Sequence, residues 1–149
     1  MARSILLQSV SNSAGLIVHE AAHDVESFIW VLSYSVMRNL YHRASKRSTS
    51  KEIRDQRVTF RNLFSQAFGQ TTPENIAERR QSGSSCLLFP DNRYVNEIVS
   101  NFMSNALISL FKGLRGLIHR ATDPFNPTPL SHDALLRVIN DAINSLQGN

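Results

Sequence analysis

The chain has little of the chemistry on which secreted and membrane proteins depend. Of its 149 residues only Cys86 is a cysteine, so a disulfide framework is excluded, and we expect an ordinary thiol at this position. No apolar run approaches the roughly 18 residues of a membrane span, and the apolar patch at residues 5–7 is too brief for a signal peptide. These absences predict an intracellular protein, cytoplasmic or nuclear, that has no membrane association.

Signals of β-structure are missing as well. The sequence shows no alternating apolar pattern, no internal repeat and no low-complexity tract. Hydrophobic residues make up 42% of the chain, which is enough for one domain with a real core. Apolar residues instead recur three and four positions apart. We therefore predict an all-α fold, with a single helical domain over residues 1–149.

The apolar spacing predicts a succession of helices. They cover residues 3–10, residues 24–41, Lys51–Phe68, residues 73–80, a long segment that begins at Asp91 or Asn92 and continues through Leu114, and a last segment after Ser131. Local chemistry sets several of their ends. Gly69 is a natural helix stop, Thr72 is a cap with Pro73 at the first helical position, and Ser131 caps the last helix. The proline-rich residues 124–129 predict an extended connection before that helix.

Residues 24–41 stand out because almost none of their helical surface would be polar. The apolar and aromatic side chains are Phe28, Ile29, Trp30, Val31, Leu32, Tyr34, Val36, Met37 and Leu40. We expect such a helix to be buried on nearly all sides, with Trp30 and Tyr34 as core aromatics. Asp24 is its predicted N-cap, because a carboxylate there accepts backbone N–H bonds from the first turn near Ser27.

The residues just before this helix, His19, Glu20 and His23, spell the H-E-x-x-H motif. On a helix, this spacing directs two imidazoles towards one zinc ion, with Glu20 as general base, so a zinc metallohydrolase is one alternative. A catalytic zinc also needs a third protein ligand, and the extended form of the motif would require a glycine and a histidine where Glu26 and Ile29 stand. If the helix begins at its predicted N-cap, the first two motif residues lie in a loop. The other interpretation is therefore hydrogen bonding at the helix start.

The stretch Asp24-Val25-Glu26-Ser27-Phe28 resembles the Asp-Leu-Glu-Ser-Phe sequence of the fungal-type protein kinase domain, where a histidine usually comes first, as His23 does in this chain. In that family the sequence opens the buried F helix of the C-terminal lobe. The resemblance therefore implies structural roles for Asp24, Glu26, Ser27, Phe28 and Trp30.

The resemblance also implies an order for the rest of the chain. Residues 1–23 would hold the end of an activation segment and a loop, 24–41 the central helix, 42–90 a variable basic and G-helix region, and 91–149 the closing helices. Residues 107–115 and 130–136 are similar to the closing segment of the family. The implied fold is the helical part of a kinase-like C-terminal lobe.

The same resemblance bears on chemistry. An intact kinase holds ATP and Mg²⁺ with a Gly-rich loop, a strand lysine, a catalytic-loop Asp and Asn, and the Asp of an Asp-Phe-Gly sequence. No segment before Asp24 matches these motifs. The parent class would be an ATP-dependent protein phosphotransferase, and this chain is expected to be a truncated, pseudokinase-like remnant. We expect it to have no catalytic or cofactor-binding residues and to bind no cofactor by itself.

A basic stretch carries most of the positive charge. Residues 43–61 contain seven basic and two acidic residues, so their net charge is +5, whereas the whole chain carries +4. Such a stretch could serve a basic helical module that binds nucleic acid or an acidic partner. Aromatic residues do not interleave with the charges, so we do not expect nucleic acid. The expected partner is an unidentified protein or a second copy of the chain, bound through exposed apolar helix faces.

Overall fold

The computed structural model describes residues 20–46, 51–69, 72–81 and 103–147. Its helices are α1 (Ala21–Lys46), α2 (Lys51–Phe68), α3 (Pro73–Gln81), α4 (Asn105–Ala121) and α5 (His132–Gln147). The described ranges contain no strand, so the predicted all-α fold is confirmed. None of these helices combines the length and the apolar composition that crossing a bilayer demands. The predictions for residues 1–19, Cys86 and residues 91–102 lie outside the described ranges.

The start of α1 differs from the prediction. α1 begins at Ala21, before Asp24, so the prediction of Asp24 as N-cap is wrong. Instead, the His23 N–H donates to the Glu20 carbonyl oxygen at 2.9 Å, and the Glu20 N–H donates to His23 Nδ1 at 3.1 Å. The second bond is the kind that a capping box makes between the third helical residue and the cap. Asp24 consequently lies in the first turn, where its negative charge favours the positive end of the helix dipole.

α1 buries one side and exposes the other. Its buried side chains are Val25, Ile29, Trp30, Ser33, Met37 and Leu40. The Ser33 hydroxyl donates to the Ile29 carbonyl oxygen at 2.5 Å, so the buried polar group is satisfied within the helix. Phe28 is 46% exposed and Val31 is 61% exposed, so the prediction of burial on nearly all sides is wrong. The packed side of α1 carries Ile29, Trp30 and Ser33, whereas Phe28 and Val31 lie on the exposed side.

Local chemistry fixes the ends of α2 and α3. α2 spans its predicted range, and the Gly69 N–H donates to the Ser65 carbonyl oxygen at 2.8 Å where the helix ends. α3 begins at Pro73 as predicted, and Thr72 caps it by accepting from the Asn75 N–H at 3.3 Å. α3 ends one residue beyond the predicted range.

α4 begins at Asn105, which corrects the prediction of one helix from near residue 91 through Leu114. Ser104 interrupts that helix, because its backbone is extended (φ −68°, ψ 155°) and its hydroxyl oxygen accepts from the Leu107 N–H at 3.3 Å. This is the geometry of an N-cap. Apolar periodicity runs on across Ser104, so spacing alone does not reveal the break.

The proline-rich connection between α4 and α5 is non-helical, as predicted. At its start the Asp123 carboxylate accepts from the Phe125 N–H at 2.9 Å and from the Asn126 N–H at 3.2 Å. These bonds favour the charged form and lower the pKa of Asp123 from its usual value. Ser131 caps α5, as predicted, by accepting from the Ala134 N–H at 3.2 Å.

The core forms where apolar side chains of α1, α4 and α5 meet. Its buried members are Val25, Ile29, Trp30, Met37, Leu40, Met103, Phe111, Leu114, Leu117, Ile118 and Leu135. Three half-buried side chains of α2, Leu63, Phe64 and Phe68, pack against this cluster. The core thus places the start of α1 beside the end of α4, and the middle of α1 beside α2.

Gly113 sets how closely α4 approaches α5. A Cβ atom at this position would lie 2.5 Å from Val138 Cγ1, whereas one at Gly116 would meet only the flexible end of Arg120 at 3.4 Å. We expect Gly113→Ala to lower the free energy of unfolding by about 1–3 kcal/mol through overpacking. We expect Gly116→Ala to raise it by up to about 1 kcal/mol, because alanine favours the helix.

Denaturant unfolding followed by circular dichroism measures both changes. Val138→Ala combined with Gly113→Ala should recover part of the loss, since it removes the methyl groups that the new Cβ would meet. Equal effects of the two glycine substitutions would contradict the close approach of α4 and α5.

Candidate functional site

Two concave regions of the described structure bring together charged or aromatic side chains from different helices. The first, the α1 cleft, lies at the start of α1 and has a volume of about 220 Å³. Its lining residues are Glu20, Ala22, His23, Glu26, Arg80, Ile118, Ala121, Thr122, Pro129 and Leu130. Helices α1, α3 and α4 and the residues before α5 therefore bring two carboxylates, an imidazole and a guanidinium to one place.

The α1 cleft contains two members of the H-E-x-x-H motif. Because α1 begins before His23, this histidine lies on the helix, and its Nδ1 accepts the Glu20 N–H. The first histidine of the motif, His19, lies outside the described residues. Among the residues that are described, no group of three or more His, Cys, Asp or Glu side chains could hold a metal ion. His23 has a clear role at the start of α1, and the zinc hydrolase stays an untested alternative.

Arg80 joins α3 to α1 beside this cleft. Its Cζ lies 4.6 Å from the centroid of the Trp30 ring, so the guanidinium makes a cation–π contact with a buried indole. Burial lowers the pKa of Arg80 from its usual value, and the Glu26 carboxylate partly offsets this by favouring the charged form. Arg80 Nη1 is buried without a hydrogen-bond partner among the described residues. Packing over the ring is therefore what holds α3 against α1 at this point.

Sequence patterns do not single out Arg80. α3 is a short polar helix with two adjacent arginines, and neither a motif nor the apolar spacing distinguishes them. The one available signal is its spacing of three residues from Ala77, which is fully buried. That spacing places both residues on one face of the helix.

The residues of the kinase-like stretch do not gather into one site. Glu26 lines the α1 cleft, and Trp30 is buried in the core. Asp24 and Phe28 are exposed on the other side of α1, and Ser27 is half-buried. Their structural roles in a kinase-like lobe stay predictions.

The second concave region, the aromatic groove, lies between α1 and α2 and also measures about 220 Å³. Its lining residues are Tyr34, Arg38, Tyr41, His42, Arg61, Phe64 and Ser65, and none of these is acidic. Trp30, next to the groove, is 4% exposed, which confirms its predicted place in the core. Tyr34 is 40% exposed, so the prediction that it is a core residue is wrong.

The aromatic rings of the groove pack against one another. The Tyr34 and Phe64 ring centroids are 5.6 Å apart, and the Phe64 and Phe68 centroids are 5.3 Å apart. The Tyr41 and Phe64 rings are nearly parallel, with an interplanar angle of 17° and centroids 6.4 Å apart. Aromatic pairs of this kind contribute about 0.5–1.5 kcal/mol each beyond their buried area. They fix α2 on α1 and so fix the shape of the groove.

Comparison of the chain with protein-family models, with curated proteins and with solved structures finds no match. The proposed relation to kinases thus depends on the resemblance of residues 23–28 and on the order of the helices. The chemistry of the two concave regions is independent of that relation.

We expect the dialysed chain to hold far less than one zinc ion per molecule. The reason is that a catalytic zinc needs three protein ligands, while Glu26 and Ile29 stand where the extended motif would have a glycine and a histidine. Plasma mass spectrometry, together with thermal melts with and without a chelator, measures this. The matched variant His23→Ala should lower the melting temperature through the lost bond to the Glu20 N–H, to the same extent with or without zinc. One zinc per chain that is lost in His23→Ala would instead favour the hydrolase, and Glu20→Gln would then test the general base.

The contact between Arg80 and Trp30 predicts a difference between two substitutions. Arg80→Met keeps an apolar stem over the ring and removes a partly unsatisfied buried guanidinium, so we expect the free energy of unfolding to change by less than about 1 kcal/mol. Arg80→Ala removes the stem as well and should lower the free energy of unfolding by about 1–3 kcal/mol. Trp30 is the only tryptophan of the chain, so its fluorescence during denaturant unfolding reports on this contact. Equal losses for both variants would show that the charge, and not the packing, stabilises α3.

Proposed function

We propose that this chain is a non-catalytic helical module, of the kind that forms the C-terminal lobe of fungal-type protein kinase-like domains, and that it acts by binding a protein surface. The observation that carries this proposal is the exposed apolar side of α1. Phe28 and Val31, on the helix that has the kinase-like sequence, are 46% and 61% exposed. Apolar patches of this kind are typical of interaction surfaces when they are contiguous.

The position of the exposed residues supports the proposal. The helix that resembles α1 is buried on all sides in the kinase family, by the rest of its lobe. In this chain α2 and α5 pack on α1, and the uncovered side presents Phe28 and Val31, with the 40% exposed Tyr34 at its edge beside α2. Residues at this spacing lie next to one another along a helix, so they form one surface, which we call the α1 stripe. The α1 stripe is the surface that the remainder of a lobe would cover.

The proposal does not include phosphoryl transfer by these 149 residues alone. They contain no match to the phosphate-binding loop or to the metal-binding motifs of kinases. ATP and Mg²⁺ would be bound by the parts of an intact kinase that carry those motifs. The resemblance would assign to Asp24 the role of holding a catalytic loop in place. In this chain Asp24 is exposed in the first turn of α1.

A second copy of the chain is the simplest partner for such a surface. α5 exposes a further set of apolar side chains, Leu136, Ile143 and Leu146, which are 54%, 45% and 61% exposed. Their spacing of seven and three residues places them on one face of α5. The apolar surfaces on α1 and α5 together favour association, because each copy can bury area that would otherwise contact water.

We expect the wild-type chain to associate in a concentration-dependent way, and Phe28→Ser combined with Val31→Ser to shift it towards the monomer. The physical reason is the loss of apolar area from the α1 stripe, worth about 25 cal/mol for each Å² that association would bury. Analytical ultracentrifugation over a range of concentrations measures the equilibrium. Phe125→Ser is the matched control, because Phe125 is 95% exposed but lies in the connection between α4 and α5.

A shift of the same size in Phe125→Ser would mean that general hydrophobicity drives association, and it would contradict a role for the α1 stripe. A wild-type chain that stays monomeric at all concentrations would contradict self-association. Addition of ATP and Mg²⁺ should leave the thermal melting temperature unchanged. A clear rise would contradict the non-catalytic assignment, because a ligand that binds the folded state stabilises it.

A further inference from the structure

We propose that the aromatic groove binds an acidic peptide segment of a partner protein. In this arrangement carboxylates of the peptide pair with Arg38 and Arg61, and one apolar side chain enters the groove between them against Tyr34 and Phe64. The proposal depends only on the geometry and charge of the groove, and it holds whether or not the chain is related to kinases.

The charge of the groove is of one sign. Arg38 comes from α1 and Arg61 from α2, both are exposed, and no acidic residue is among the seven that line the groove. Exposed Arg43 extends the positive charge along α1. Arginine is suited to carboxylates because its planar fork donates two parallel hydrogen bonds. Two arginines on opposite walls therefore select a ligand with separated negative charges.

The apolar part of the groove also limits the ligand. Tyr34 is 40% exposed, and Tyr41 and Phe64, which line the same groove, are half-buried. Small-molecule and cofactor sites usually measure about 300–1,000 Å³. At about 220 Å³ the groove is smaller than that range. It fits one large apolar side chain, which is what a peptide would insert between two acidic residues.

The packing of the rings favours a peptide over single-stranded nucleic acid. Bases bind to aromatic side chains by stacking on an open ring face. Phe64 has one neighbour at an interplanar angle of 17° and further neighbours at 36° and 45°, so other rings already surround it. The Phe64 ring is thus packed against other rings of the protein. An aliphatic side chain does not need an open ring face, because contact with any apolar surface removes it from water.

The test uses the full chain and a fluorescein-labelled peptide of about 12 residues in which glutamate alternates with leucine, followed by fluorescence anisotropy. We expect saturable binding that weakens by about two- to thirtyfold in Arg38→Gln combined with Arg61→Gln, because two exposed ion pairs are lost. We also expect weaker binding as the salt concentration rises. The same peptide with glutamine in place of glutamate should bind much more weakly.

The matched control is Arg115→Gln combined with Arg137→Gln, which removes the same charge from α4 and α5. Equal weakening in this control would show that net charge alone attracts the peptide, and it would overturn the proposal. Absence of binding to the glutamate peptide would overturn it as well. A labelled oligothymidylate of about 12 nucleotides that binds more tightly than the peptide, and depends on Arg38 and Arg61, would assign the groove to nucleic acid instead. Circular dichroism confirms that both double variants are folded.

Discussion

The position of Trp30 in α1 is the constraint on which most of the described structure depends. Its ring is 4% exposed, Phe68 of α2 meets it edge to face with centroids 6.1 Å apart, and the Arg80 guanidinium of α3 lies over it. One indole therefore fixes two further helices on the same stretch of α1. The α1 cleft lies on one side of this junction and the aromatic groove on the other. Both regions keep their shape only while α1 presents Trp30 inward.

The sequence predicts those parts of the fold in which the deciding chemistry is local. Three residues at helix ends satisfy backbone groups no more than four residues away: Gly69, Thr72 and Ser131. The helix ends that they predict agree with the structure. The start of α1 is different, because Asp24 and the pair formed by Glu20 and His23 are both competent to begin a helix. The choice between them depends on a bond from backbone to imidazole that the residue pattern does not reveal.

Burial and site geometry are harder to predict, because they depend on contacts between distant parts of the chain. Composition shows that α1 is apolar almost all around, but it does not show which side its neighbours cover. The basic stretch, taken alone, contains one aromatic residue, Phe60. In the fold, Tyr34 and Tyr41 from the preceding helix come to lie beside Arg61 and Phe64. The groove itself is thus a product of the packing of α1 on α2.

The two proposed binding surfaces share a boundary. Val31 and Tyr34 line a shallow depression together with Trp30, Phe68 and Arg80, and Tyr34 also lines the aromatic groove. A partner that covers the α1 stripe therefore meets Tyr34 from one side, while a peptide in the groove meets it from the other. Occupation of either surface restricts the rotamers of this half-exposed ring. If both ligands need the same rotamer, the second ligand loses less side-chain entropy and binds more tightly. If they need different rotamers, it binds more weakly. Tyr34 is thus the residue through which association of the chain and capture of an acidic segment would affect each other.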